Sequence, residues 1–162
     1  EFTDDFGCST SLSVRQNNEM ISIDSRHGVF LEPNHPTGWR ASLSSSASGL
    51  AVLAILPDED RLTTLRSIEA RDPGAWPRRC ERIESAREQY LAEGTVTFDG
   101  MYGAHYTSVA VPLVENLGDA ATYWAISCGG LSTHWNDELI QRVAAALRKM
   151  RNLLQPALSM AA

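Results

Sequence analysis

Residues 49–56 are the segment that most constrains the fold, because this short run is apolar from Leu50 to Leu56. Between Gly49 and Pro57 it contains two alanines and no turn-forming residue, which favours a buried helix over a strand. Ser46 or Ser48 can cap this helix, because a hydroxyl oxygen accepts a hydrogen bond from a first-turn N–H group. The chain is therefore expected to contain a helix that its other elements cover.

Alternating polar and apolar residues predict β-strands on both sides of this helix. Residues 10–15 and 20–24 alternate, and the turn formers at 16–18 lie between them, which predicts a β-hairpin. A third strand is predicted at 29–31. Later strands are predicted at 96–98, at 106–111 (ending at Pro112) and at 122–128.

Helical spacing predicts three further helices. Asp58 is expected to cap one whose Leu62, Leu65 and Ile68 share a face, and residues 78–93 form another that ends at Gly94. The last begins at Asn136 and carries an apolar stripe of Ile140, Val143, Leu147, Met150 and Leu154. The order of hairpin, strand, three helices, three strands and helix predicts an α+β fold with a mostly antiparallel sheet.

Composition excludes several classes of protein. The 162 residues suit one domain, and no run approaches the roughly 18 apolar residues of a membrane span. The net charge of −6, without a basic run, disfavours nucleic-acid binding. The acidic start lacks the basic residues of a signal peptide. Three widely spaced cysteines give no disulfide framework, so reduced thiols in a cytoplasmic protein are expected.

No catalytic or metal-binding motif is present in the sequence. The nucleophile, zinc-protease and phosphate-loop patterns are absent, and no histidine lies three or four residues from another histidine or a cysteine. We therefore predict no metal and no cofactor. Asp99 with His105 is the one local acid–base pair that an enzyme could use.

Small hydroxyl residues lie on strand faces that are otherwise fit for burial. Ser108 shares a strand face with Ala110, and Ser127 shares one with Tyr123 and Ala125. Such serines either bond the local backbone beneath a packed helix or line a pocket for a small molecule. The helix start near Ala47 and Ser48 would supply free N–H groups suited to a carboxylate.

Five segments together resemble the C-terminal half of IclR-family bacterial transcriptional regulators. They are residues 46–57, 93–99, 107–112, 124–130 and the final helix at 136–158, in unbroken order. The resemblance implies a GAF-like (profilin-like) effector-binding domain with a six-stranded antiparallel sheet flanked by helices. It assigns residues 10–162 to that domain and 1–9 to a linker remnant, with the N-terminal winged helix-turn-helix domain absent from this chain.

The resemblance also implies a polar ligand site between sheet and helices. The family's ligand-contacting positions correspond here to Phe30, Ala47, Ser48, Asp99, Ser108, Ser127 and Gly129. Asp99 is expected either to accept a bond from a ligand hydroxyl or amide, or to fix the loop that follows it. Departures include Leu50 for a lysine, Met101 for a glutamate and His134 for an arginine. Gly129 replaces a serine and, by freeing volume, favours a larger, flatter ligand.

The expected function is a ligand-sensing regulatory domain, not an enzyme. Its partners would be a small organic effector, such as a carboxylic or aromatic acid, and further copies of the chain in a homodimer or homotetramer. DNA would be contacted only through the missing N-terminal domain, and no membrane would be involved. The alternative is a protein-interaction or dimerisation module with a vestigial pocket.

Overall fold

The computed structural model of the protein describes residues 2–28, 36–101, 105–117 and 120–160. Within these residues six strands form one antiparallel sheet in the order β3-β2-β1-β6-β5-β4. The strands are β1 (Ser9–Gln16), β2 (Glu19–Arg26), β3 (Arg40–Ser42), β4 (Val96–Met101), β5 (Tyr106–Leu117) and β6 (Ala120–Leu131). The predicted α+β architecture with an antiparallel sheet is confirmed.

Helices cover both faces of the sheet. They are α1 (Phe2–Phe6), α2 (Ala47–Ile55), α3 (Asp58–Arg71), α4 (Trp76–Glu93) and α5 (Asp137–Met160). Helix α2 lies on one face against β5 and β6, with α4 packed outside it, and α5 crosses the other face over β5. None of the helices in the described ranges combines the length and apolar character that crossing a membrane requires.

Two apolar cores result from this layering. The first lies between the sheet and α2, α3 and α4, and includes Leu53, Ile83 and Phe98. The second lies between the sheet and α5, and includes Val143 and Leu147. Strand alternation sends Ala110 to the first core and Val109 to the second, as the period-two pattern of β5 predicts.

Helix α2 begins as the sequence predicts. Ser46 is the N-cap, and its Oγ accepts a hydrogen bond from the Gly49 N–H at 3.1 Å. A side chain at Gly49 would place its Cβ 2.4 Å from Leu43 Cα, so only glycine lets the helix approach the preceding single turn of 3-10 helix. The start of α2 is therefore held rigidly against the sheet.

Strand β5 is longer than predicted, because it continues through Pro112 to Leu117. Strand β4 pairs with β5 only as far as Ala110. Pro112, which has no backbone N–H, therefore has no β4 residue beside it that would need a hydrogen-bond donor. Beyond this point Gln155 of α5 acts in place of a neighbouring strand. Its side-chain amide accepts from Val114 N–H at 3.0 Å and donates to Val114 C=O at 2.6 Å.

Two other local expectations need correction, and a third is not tested. Asp58 is the first residue of α3 and Pro57 is the N-cap, so the carboxylate acts on the helix dipole and not as a cap. Leu62 and Leu154 are exposed, while Ile68 and Leu147 on the same helices are buried. The strand predicted at 29–31 lies outside the described residues.

The segment predicted as a linker is packed against the domain. Residues Phe2–Phe6 are helical, Phe6 contacts the second core, and Cys8 is buried in it. The apolar side chains at 6 and 8 explain this, because each gains by leaving water. Strand β1 already begins at Ser9.

Candidate ligand-binding site

A half-enclosed cavity lies between the hairpin β1–β2, the ends of β5 and β6, and the start of α2. Its volume is about 60 Å³. A single water needs roughly 10–15 Å³ of such space, so the cavity has room for several waters or a small ligand. Eight of its sixteen lining residues are serines. Small side chains leave the space empty, and their hydroxyls make its wall polar.

Sheet register brings most of the sequence-predicted site residues together. Ser108 of β5 pairs with Gly129 of β6, and Ser127 of β6 pairs with Ser11 of β1. Ala47 and Ser48 approach the same space from the first turn of α2. Five residues from three elements, distant in sequence, thus line one cavity: Ala47, Ser48, Ser108, Ser127 and Gly129.

Ser108 contributes an unsatisfied hydroxyl to this cavity. The residue is 5% exposed, and within the described chain its Oγ has no hydrogen-bond partner. Burying a polar group without a partner costs about 1–3 kcal/mol. The hydroxyl is therefore available to bond a group that enters the cavity.

The start of α2 offers backbone donors to the same space. First-turn N–H groups have no intrahelical acceptor, and the Ser46 cap satisfies only that of Gly49. The N–H groups of Ala47 and Ser48 lie at the positive end of the helix dipole, which favours a negatively charged or hydrogen-bond-accepting group.

The cavity wall carries little charge of its own. His27 and Tyr106 are the only described lining residues with side chains that ionise, and neither lysine nor arginine is among them. A bound anion would therefore be stabilised by the helix start and by hydroxyl groups, not by a side-chain cation.

The fold around this cavity is shared with solved regulators. An IclR-family transcriptional regulator of Brucella abortus matches 96% of this chain with a TM-score of 0.86 and 25% identity. The Thermotoga maritima IclR matches 97% with a TM-score of 0.80 and 19% identity. A regulator from Alicyclobacillus acidocaldarius matches 98% with a TM-score of 0.74 and 19% identity.

This chain has the fold of the C-terminal domain of IclR-family transcriptional regulators. The resemblance that the sequence motifs indicate is thereby confirmed. The chain spans 58%, 64% and 63% of the lengths of these three regulators. No protein-family model and no curated protein match the sequence.

The IclR-based argument from Gly129 to a larger ligand is wrong. A Cβ at this position would lie 2.6 Å from Cε1 and 2.8 Å from the hydroxyl of Tyr106. The Tyr106 ring occupies the volume that the missing side chain releases, and the ring is itself 5% exposed. The glycine therefore accommodates a tyrosine, and the space that stays open suits a small ligand.

Asp99, which the IclR resemblance assigns to the site, lies on the other face of the sheet. Phe98 is in the core on the α2 side, so alternation directs Asp99 away from the cavity. The Thr107 hydroxyl donates to Asp99 Oδ1 at 2.6 Å, a bond that ties β4 to β5. This contact lies between the two strands, outside the loop 100–105 that Asp99 was expected to fix. His105 is exposed. Phe30 lies outside the described residues.

The serines of the hairpin are site residues that the sequence analysis missed. Ser9, Ser11, Ser13, Ser22 and Ser25 all line the cavity. The signal was available, because serines two residues apart on β1 share a strand face just as Ser108 and Ala110 do. Ser11 and Ser22 already bond one another at 3.1 Å, so they form a polar floor.

In the part of the chain that the structure describes, no group of three or more histidine, cysteine, aspartate or glutamate residues is arranged to hold an ion.

Proposed function

We propose that this chain is the ligand-sensing domain of an IclR-family transcriptional regulator. Its serine-lined cavity binds a small organic effector, and a carboxylate or another hydrogen-bond acceptor of that effector meets the start of α2. In the intact protein, which acts in the cytoplasm, effector binding changes the spacing of paired DNA-binding domains and thereby modulates operator binding.

The unsatisfied Ser108 hydroxyl is the observation that carries the proposal. In a vestigial pocket, we would expect side chains to fill the space or the polar groups of the wall to hydrogen-bond one another. Here Tyr106 fills one end, yet about 60 Å³ stays open beside a hydroxyl that has no partner among the described residues. This favours a ligand site over the alternative of an interaction module with a vestigial pocket.

A thermal-shift screen against small carboxylic and aromatic acids tests the proposal directly. A ligand that binds only the folded state raises the free energy of unfolding by about 2.7 kcal/mol at a hundredfold excess over its Kd. We expect small acids to give such a shift. If none of the acids raised the melting temperature but a bound protein partner did, the interaction module would be favoured instead.

Ser108→Ala should separate the effect of this hydroxyl on ligand affinity from its effect on the free energy of unfolding. Removing an unpaired buried hydroxyl is expected to leave the free energy of unfolding unchanged or higher. Binding of an acid found in the screen should weaken by about 0.5–1.5 kcal/mol, or roughly 2- to 13-fold in Kd, because one neutral hydrogen bond is lost. Calorimetric titration and urea unfolding measure the two effects.

Thr95→Val is the matched control for that variant. Thr95 is fully buried and its Oγ1 is also unpaired among the described residues, but it does not line the cavity. Its removal should act on stability alone. Equal loss of affinity in both variants would show that Ser108 does not contact the ligand.

The isolated chain is expected not to bind duplex DNA at near-physiological salt. Its net charge of −6 repels the phosphate backbone. Binding through basic residues would release counterions from the DNA, so its affinity would fall as the salt concentration rises. A mobility-shift titration at micromolar protein checks this. A retarded band whose affinity falls steeply with salt would contradict the assignment of DNA contact to another part of the regulator.

Enzymatic activity is not favoured as a second function. The neighbours of this fold are transcriptional regulators, and Asp99 bonds Thr107 instead of forming an acid–base pair with His105. For the intact protein we propose a homodimer or homotetramer, since symmetric operators are read by symmetric assemblies.

A further inference from the structure

Two cysteines that are far apart in the sequence meet on the α5 side of the sheet. Cys8 directly precedes β1, whose Ser9 and Thr10 pair with Gly129 and Cys128 of β6. Cys8 is two residues from Thr10, the residue that pairs with Cys128, so the two cysteines are diagonal neighbours across this strand pair. They are 3% and 0% exposed and belong to the same apolar core, whereas Cys80 lies on α4 outside this core.

We propose that Cys8 and Cys128 form a reversible disulfide that fastens the segment ahead of β1 to strand β6. The inference does not depend on a ligand in the cavity. Because Cys8 lies ahead of Ser9, the first paired residue of β1, the bridge can form by movement of that segment alone, without a change in the register of β1 with β6. The bridge would close a loop that contains α2, α3 and α4 but not α5, and closing so long a loop restricts the unfolded chain.

The environment of the pair distinguishes its two members. The Cys128 thiol donates to the Cys8 sulfur, which lowers the pKa of Cys8 below its ordinary value despite burial. The same contact, together with burial, raises the pKa of Cys128 far above its ordinary value. The thiolate is the reactive form of cysteine, so Cys8 reacts first and Cys128 resolves.

Hydrogen peroxide is the oxidant that completes the chemistry. The Cys8 thiolate attacks one peroxide oxygen, an S–O bond forms, the O–O bond breaks, and the leaving hydroxide takes a proton to become water. The Cys128 sulfur then attacks the Cys8 sulfur. The S–S bond forms, the S–O bond breaks, and the departing hydroxide leaves as water with the Cys128 proton. Two thiols lose two electrons in total, and the peroxide gains them.

Non-covalent contacts hold the segment that the bridge would fasten. Gly7 N–H donates to Thr3 C=O at 2.8 Å, and the hydroxyls of Thr3 and Thr10 lie 2.9 Å apart. Phe6 rests near Arg142 of α5, with 5.6 Å from the guanidinium carbon to the ring centre. Oxidation would replace a reversible attachment of α1 by a covalent one.

Peroxide treatment followed by thiol counting and peptide mapping tests the proposal. In the folded protein, titratable thiols should fall from three to one, and a peptide pair joined through Cys8 and Cys128 should appear and vanish with a dithiol reductant. The oxidised protein should unfold at higher urea than the reduced protein. Cys80→Ala should keep both the link and the shift in urea midpoint, while Cys8→Ala should lose both.

Two results would overturn the inference. One is oxidation of Cys80 alone, or formation of sulfinic acid at Cys8, with no linked peptide. The other is a link that forms in urea but not in the folded protein, since it would show that the buried pair is not reached. Both are read on the wild-type chain, so neither depends on a variant folding.

Discussion

Leu147→Ala is expected to lower the free energy of unfolding by about 2–5 kcal/mol. Leu147 is fully buried where α5 crosses the sheet, in the core that also contains Val109 and Val111 of β5. Alanine would remove apolar contacts and leave a cavity that the close-packed strands can fill only in part. Urea unfolding followed by circular dichroism measures the loss.

Leu153→Ala on the same helix is the control for this variant. Leu153 is 70% exposed, so its truncation should change the free energy of unfolding by no more than about 0.5 kcal/mol. If Leu147→Ala stayed fully stable but changed the oligomeric state in sedimentation, the stripe on α5 would be an interface between chains and not the core.

Ser127→Phe is expected to abolish ligand binding while the domain stays folded. Ser127 lies on β6 at the cavity wall, opposite Ser11 of β1, and a phenyl ring there would fill most of the space of about 60 Å³. Extra volume in a packed site costs about 1–3 kcal/mol, and the open cavity should reduce that cost. Calorimetric titration with an acid from the thermal screen measures the affinity.

Two other substitutions test whether added volume at position 127 causes the loss of ligand binding. Ser127→Ala removes a hydroxyl but adds no bulk, so binding should weaken by only about 0.5–1.5 kcal/mol. Ser85→Phe adds the same ring on the exposed side of α4 and should change nothing. Unchanged affinity in Ser127→Phe would place the ligand site elsewhere in the protein.

The elements that the sequence predicted well are those with local signals. The hairpin turn at Asn17 has a positive φ of 56°, which asparagine tolerates, and strand alternation on both sides fixes the register. Gly94 ends α4 in the left-handed conformation, with its N–H bonded to Tyr90 C=O. Asn136 Oδ1 caps α5 by accepting from Leu139 N–H at 2.8 Å. Each of these depends on residues close in sequence.

The features that the sequence analysis missed depend on contacts between distant segments. Pro112 normally ends a strand, but β5 continues beyond it because residues 113–117 pair with β6 and Gln155 of α5 binds Val114 on the other edge. The filling of the Gly129 space by Tyr106 depends on how β5 pairs with β6. Asp99 is different, because residues close in sequence indicate where it points. Val96 and Phe98 are apolar and share one face of β4, so Asp99 lies on the opposite face, away from the cavity. The position that the family resemblance assigns to the site therefore faces away from the cavity in this chain.

The strand order has a consequence for how this chain is made. Of the six strands, β1 leaves the ribosome first, yet it lies inside the sheet and pairs on one side with β6, which begins only at Ala120. Pairing with β2 can occur at once, but the other edge of β1 must wait for roughly 5–20 s at ordinary rates of synthesis. During that time one edge of β1 is unpaired, and such an edge can pair with a strand of another chain. The hydroxyl-rich face of β1 limits this hazard, since serines every second residue make a poor surface for apolar aggregation.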